Sequence, residues 1–221
     1  MVTREEKISE MGVNNRIQIE FYHDVLCAWA YAFSPRMRRL VREFPEVEVI
    51  HRSFVLAPDR ESISQMFDSV ERGKKEILGH WLAANENDDS HRIRAELMET
   101  REFDYPHSMP GQMACKAAEL QGGQRAHWDY FDRVQSAHLT ECRNIADSDV
   151  LVSCAWDVGL DFERFERDHK SPQTKGEVLL DIRRARNQGV TASPTIVMNG
   201  RWTMSGARGY DELRSFLEKI I

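Results

Sequence analysis

Apolar and polar positions alternate from Arg16 to Tyr22, with Ile17, Ile19 and Phe21 set against Gln18, Glu20 and Tyr22, which is the period of a strand. The pattern then changes to helical spacing. Met37, Leu40, Val41 and Phe44 recur on one face behind an early Pro35, and Pro45 ends the run. Alternation returns from Val47 to Val55, placing Val47, Val49, His51 and Ser53 on one face, and it breaks at Ala57-Pro58-Asp59. Strand, helix and strand over so short a span predict a βαβ unit with parallel strands and a right-handed crossover.

From about Glu61 to Lys170 the period stays helical. Ile63, Met66, Phe67, Val70, Ile77 and Trp81 mark one amphipathic helix, and Ile93 and Leu97 mark a shorter one. Ser108 caps a third that ends at Gly122-Gly123, and Trp128, Phe131 and Val134 mark a fourth. Asp147 or Ser148 caps a fifth, which turns Leu151, Cys154, Ala155 and Val158 inward and stops at Gly159. Phe162 and Phe165 suggest a short sixth. Ser171-Pro172 then starts a helix through Val178, Leu179 and Ile182 that ends at Gly189. Thr195 to Met198 reads as a strand, Asn199-Gly200 as a two-residue hairpin turn, and Arg201 to Met204 as the return strand. Gly206 opens a turn into a last helix with Tyr210, Leu213, Phe216 and Leu217. The expected fold class is α/β: a β-α-β … α-β-β-α frame with a four-stranded mixed sheet at 14–60 and 171–221, and an all-helical domain inserted at 61–170.

Composition narrows the setting. A chain of 221 residues, 41% hydrophobic and 30% charged, can bury a full core. Thirty basic against 36 acidic residues leave a net charge of −6, which argues against nucleic acid or an anionic membrane as partner. No run approaches the roughly 18 apolar residues of a spanning helix. The stretch 1–15 is charged and lacks an apolar signal core, so a cytoplasmic location is expected. In that compartment the four cysteines, Cys27, Cys115, Cys142 and Cys154, read as free thiols.

Chemistry concentrates at Cys27. It stands where the first strand gives way to the first helix, at the positive end of the helix dipole, where a thiolate is favoured and the thiol pKa is expected to fall. The position three residues on, where a C-x-x-C pair would have its second sulfur, is Ala30. The alternative is a helix-start cysteine kept for packing. His23 would lower the pKa of Cys27 if it turned inward; the plainer reading is a solvated histidine. Cys154 and Cys115 read as core and close-packing positions, His138 as a helix-end residue, and the acidic run Glu86 to Asp89 as a solvated loop and cap. The eight histidines show neither H-E-x-x-H nor C-x-x-H spacing, so no metal site is expected.

The order of elements is that of the thioredoxin fold with an insertion. In that fold the cysteine meets a proline before the third strand, preceded by a cis peptide bond, and Ser193-Pro194 supplies it. Four segments carry a closer likeness: Asp24 to Tyr31 against the pattern D-V-x-C-P-W-C-Y, Arg52 to Asp59 against R-x-F-x-L-x-P, His138 to Asp147, and Gly189 to Gly206. On these the chain resembles the DsbA-type branch of the thioredoxin superfamily, closest to its cytosolic FrnE-like members, from about Arg16 to the end. Ala28 and Ala30 depart from the pattern, replacing its proline and second cysteine.

The resemblance implies a thiol-disulfide oxidoreductase or isomerase working through the single nucleophile Cys27, with Pro194 shaping a substrate groove and Trp29, Tyr31 and Ser193 beside it. Its partners would be protein thiols and disulfides or glutathione, the latter a co-substrate and no bound cofactor. Cys142, in a loop that the family holds near the cleft mouth, is the candidate resolving thiol, or else a loop cysteine without a partner. The turn at Gly206 and Ala207 is either a plain turn or the place where glutathione-using relatives hold a carboxylate. Two other functions stay open: a glutathione-dependent transferase or isomerase, as in kappa-class transferases and hydroxychromene carboxylate isomerases, and a redox-inactive binding module.

Overall fold

The computed structural model describes residues 16–220; the stretch 1–15, read above as free of a secretory signal, and the first two residues of the 14–60 segment lie outside the described residues. Strand β1 (Ile17–His23) leads into helix α1 (Ala28–Glu43) and then β2 (Val47–Ser53). These two strands pair in parallel, Ile17 opposite Val47 and Phe21 opposite His51. After the helices, β3 (Thr195–Met198) pairs antiparallel with the other edge of β1, and β4 (Trp202–Ser205) closes the sheet in the order β2-β1-β3-β4. Asn199 and Gly200 both take positive φ, +50° and +65°, and Arg201 lengthens the expected two-residue turn to three, with Met198 opposite Trp202.

Between β2 and the return to the sheet stand α2 (Arg60–Phe67), α3 (Val70–Asn87), α4 (Ala95–Glu99), α5 (Ser108–Leu139), α6 (Ser148–Asp157) and α7 (Phe162–His169). Helix α8 (Pro172–Asn187) precedes β3, and α9 (Tyr210–Glu218) ends the described chain. The pattern from Ile63 to Trp81, read as one helix, is two. Asp68 turns into the left-handed region at φ +68°, and Ser69 caps the second helix by accepting from the Arg72 amide. The break expected at Gly122-Gly123 is present: the backbone leaves helical angles at both glycines, so α5 is two helices joined end to end at a kink. Among the described residues, no helix is long and apolar enough to cross a membrane.

The sheet is covered on both faces, by unlike surfaces. Ile17, Ile19 and Phe21 join the main core with Phe33, Met37 and Phe131, where burying each large side chain contributes roughly 1.5–3 kcal/mol. The opposite face meets α8 through a small apolar cluster of Tyr22, Ala185, Val190 and Val197 and through buried ion pairs. Buried Glu20 pairs with Arg52 and Arg184, and buried Asp181 pairs with Arg52 and Lys116. Arg184, a basic residue in the last turn of α8, is thereby committed to an ion pair with the sheet. The inward line of α8 is Thr174, Val178, Asp181 and Ala185, and Leu179 points to solvent, because the helical period that turns those residues inward turns it away.

Pro35 lies inside α1 and has no N–H to give the carbonyl of Tyr31. Arg92 supplies the bond instead, donating from Nη2 at 2.9 Å while its guanidinium lies over the Tyr31 ring. The acidic run 86–89 is likewise engaged. Asp88 is buried and accepts from Arg92, and Asp89 pairs with buried Arg36.

Candidate active site around Cys27

The turn between β1 and α1 is built on Asp24. Its carboxylate accepts from the amides of Leu26 and Leu56, at 2.8 and 2.6 Å, and from the Ser108 hydroxyl at 2.7 Å. One short side chain thus joins the end of β1, the segment after β2 and the start of α5. Complete burial pushes its pKa up to about 6 despite those three donors. From α5, Gln135 donates its amide to the carbonyls of Cys27 and Asp24, at 2.9 and 3.2 Å, and Gln112 donates to the carbonyl of His23. The Cys27 loop is fixed by the insertion as much as by the sheet.

Cys27 is the residue just before α1, with extended angles of φ −77° and ψ 105°. Its thiol donates to the carbonyl oxygen of Ser193 at 3.3 Å. The Ser193–Pro194 bond is cis, and the Pro194 carbonyl accepts from the Gly206 amide at 2.8 Å. Beside the sulfur opens a cleft of about 280 Å³. Leu26, Trp29, Leu56 and Ser193 line it from the frame; Ile63, Phe67, Ile77 and Trp81 line it from α2 and α3, with Tyr105 behind. Behind this wall Trp81 donates to the Tyr105 hydroxyl, which pairs with His138 at 3.1 Å. His138 is fully buried, and burial holds its pKa down at about 3.

The expectation of a low Cys27 pKa is not met. Desolvation pushes the thiol up to about 11; Ser193 and the Ala30 amide oppose this, and the Asp24 charge adds to it. A helix terminus favours a thiolate by a fraction of an elementary charge, and at a nearly closed site the lost hydration outweighs it.

Of the other candidates, Trp29 and Ser193 face the cleft with Cys27. Tyr31 does not: it is buried, its hydroxyl paired with Thr140 at 2.9 Å. The turn at Gly206 and Ala207 is engaged from within. The Gly206 amide serves Pro194, and Arg36 donates to the carbonyls of Ala207 and Arg208. Cys142 is buried and donates to the Arg94 carbonyl at 3.3 Å, and it is no part of the cleft wall. Cys115 and Cys154 are buried, and all four thiols are free. His23, read as solvated, is fully buried with its Nε2 2.9 Å from His51 Nδ1. Sequence reasoning missed Asp24, Gln112 and Gln135 as the supports of the loop. It also missed that the amphipathic stripe from Ile63 to Trp81 faces the cysteine, for which the stripe itself was the available signal.

The family model for the DSBA-like thioredoxin domain matches residues 18–218. Among curated relatives, the ClpXP adapter protein SpxH of Shouchella clausii is 25% identical over 181 residues, covering 82% of this chain and 57% of that protein. The chain thus spans little more than half the length of that relative. A putative protein disulfide isomerase from Nitrosomonas europaea superposes with a TM-score of 0.75 at 19% identity, covering 93% of this chain and 97% of that one. The cytosolic disulfide reductase DsbM from Pseudomonas aeruginosa, solved with glutathione, gives 0.72 at 22% identity, with 92% and 98% covered.

Proposed function

The chain belongs to the DSBA-like thioredoxin domain family, and from that premise we propose that it performs thiol–disulfide exchange through Cys27 alone, with glutathione as the second thiol. The observation that carries this reading is the Cys27 sulfur 3.3 Å from the Ser193 carbonyl, before a cis proline, on the wall of an apolar cleft. No other cysteine lines that cleft. The resolving thiol therefore comes from solution, and the glutathione in the Pseudomonas aeruginosa reductase structure supports that choice.

In the first step the Cys27 thiolate attacks the glutathione sulfur of a mixed disulfide. A Cys27–glutathione S–S bond forms, the original S–S bond breaks, and its electron pair leaves with the substrate thiolate. In the second step a glutathione thiolate attacks the bound glutathione sulfur, giving oxidised glutathione and returning the electron pair to Cys27. A thiol of high pKa is a poor leaving group, so the second step is slow and the Cys27–glutathione adduct accumulates. Reduced Cys27 with a protonated thiol lacks the thiolate stabilisation that makes strong oxidants, which favours work in the reducing direction.

Mass spectrometry after incubation with oxidised glutathione tests this. The expected product is one glutathione on Cys27, more abundant at about pH 9 than at about pH 7, as the thiolate fraction requires. Excess reduced glutathione should remove it. An unmodified Cys27 at both pH values, or a Cys27→Ser variant that reduces a glutathionylated peptide as fast as the parent, rejects the reading.

A further inference from the structure

Away from the cleft, the main core gathers three histidines that sequence spacing gave no reason to group. His23 ends β1, His51 lies on β2, and His127 follows the break in α5. All three are fully buried, and one ring nitrogen from each lies within 4.8 Å of the others. The His51 and His127 rings stack with centroids 4.9 Å apart. His23 Nδ1, His51 Nε2 and His127 Nε2 are buried with no hydrogen-bond partner. An unpaired buried polar atom costs about 1–3 kcal/mol, and packing alone does not explain three in one cluster.

The fourth member orients the third. His127 Nδ1 is 2.8 Å from a Glu119 carboxylate oxygen, leaving Nε2 to point elsewhere as a lone-pair donor. A carboxylate on the far nitrogen of an imidazole is the usual support of a zinc-bound histidine. Lys116, the nearby cation, is neutralised by Glu119 at 2.9 Å and Asp181 at 2.8 Å.

The geometry points to a buried site for a divalent transition metal of the Zn²⁺ class, bound by His23, His51 and His127 and braced by Glu119. Three imidazoles without thiolate select zinc, cobalt, nickel or copper over magnesium and calcium, which prefer oxygen ligands. Metal–nitrogen bonds of about 2.0–2.1 Å set tetrahedral ligands about 3.4 Å apart. His23 Nε2 and His51 Nδ1 meet at 2.9 Å, a contact that keeps a proton on one of the two rings' unpaired nitrogens, so it gives way when His23 Nδ1 and His51 Nε2 turn onto the ion. Among the described residues no further histidine, cysteine or acid joins the group, so the protein supplies three ligands. The expectation of no metal site rested on spacing within one segment, whereas these ligands come from two strands and a helix. Glu119 and His127 flank the break at Gly122–Gly123, so the site is complete only once both halves of α5 have docked, and the ion enters during folding.

The test is refolding from denaturant with one equivalent of Co²⁺, then dialysis, elemental analysis and visible absorbance. One cobalt per chain is expected, with d–d bands and no thiolate charge-transfer band, unchanged in Cys27→Ser. His51→Gln should abolish the bands. Since a core histidine variant can fail to fold, Glu119→Gln provides a second reading: it keeps every ligand and should weaken cobalt binding about 10–100-fold. Parent protein that refolds without stoichiometric cobalt, bands with a thiolate signature, or cobalt retained equally by Glu119→Gln overturns the assignment.

Discussion

Gln135, deep in α5, donates its side-chain amide to the main-chain carbonyl of Cys27 at 2.9 Å. The helical insertion thereby sets the pitch of the loop that presents the sulfur. Replacing Gln135 with Leu leaves the carbonyls of Cys27 and Asp24 buried without this donor, at a cost of about 1–3 kcal/mol. A lower midpoint in urea at unchanged slope is the expected result, with less glutathione captured at Cys27.

The pH dependence of Cys27 follows from its burial. With the thiol pushed up to about 11, the thiolate fraction rises about tenfold per pH unit throughout the neutral and mildly alkaline range. Alkylation of Cys27 by iodoacetamide, followed on its peptide, should climb without a plateau near the ordinary value of about 8.5. The unfolded chain should level off there instead. A folded-state plateau below about 8.5 would contradict this electrostatic account.

His138 gives a stability prediction with a definite sign. Its folded pKa, about 3, lies below the 6.5 expected when unfolded. The stability it contributes is complete above about 6.5 and is lost as pH falls toward 3, at up to roughly 1.4 kcal/mol per pH unit. His138→Gln keeps an acceptor for the Tyr105 hydroxyl and removes the proton. Between roughly pH 6 and pH 4 its unfolding free energy should therefore fall less steeply, by about one proton's worth.

Two glycines in helices should respond oppositely to alanine. At Gly111 in α5 a Cβ would come within 2.7 Å of Val25 Cγ2, in the loop leading to Cys27. Strain of about 1–3 kcal/mol should exceed the ~1 kcal/mol gain in helix propensity, and the variant should melt lower. Gly79 in α3 has no atom within 4 Å of that position, so Gly79→Ala should stabilise by about 0.5–1 kcal/mol.

The frame was readable in the chain because each of its elements carries a local signal. The alternation of Ile17, Ile19 and Phe21, the Asn199-Gly200 turn and the Ser171-Pro172 start act within a few residues of themselves, and all of them recur in the structure. Asp68 shows where local reading fails. An apolar stripe continues across it, yet a left-handed residue followed by a serine cap divides the helix. Tyr31 fails differently: proximity to Cys27 along the chain suggested the cleft, but one helical step turns it toward Thr140 and Arg92.

By itself the sequence determined the strand and helix order, the place of Cys27 at a helix start and the absence of a sulfur at position 30, since these depend on periodicity and identity alone. Only the tertiary structure decided that the thiol is held protonated, that Tyr31 and Cys142 stand apart from the cleft, and that three histidines share one core. The reason is common to all of them. Desolvation and contact are properties of what packs around a group, and at Cys27, His23 and His51 the packing comes from helices far along the chain.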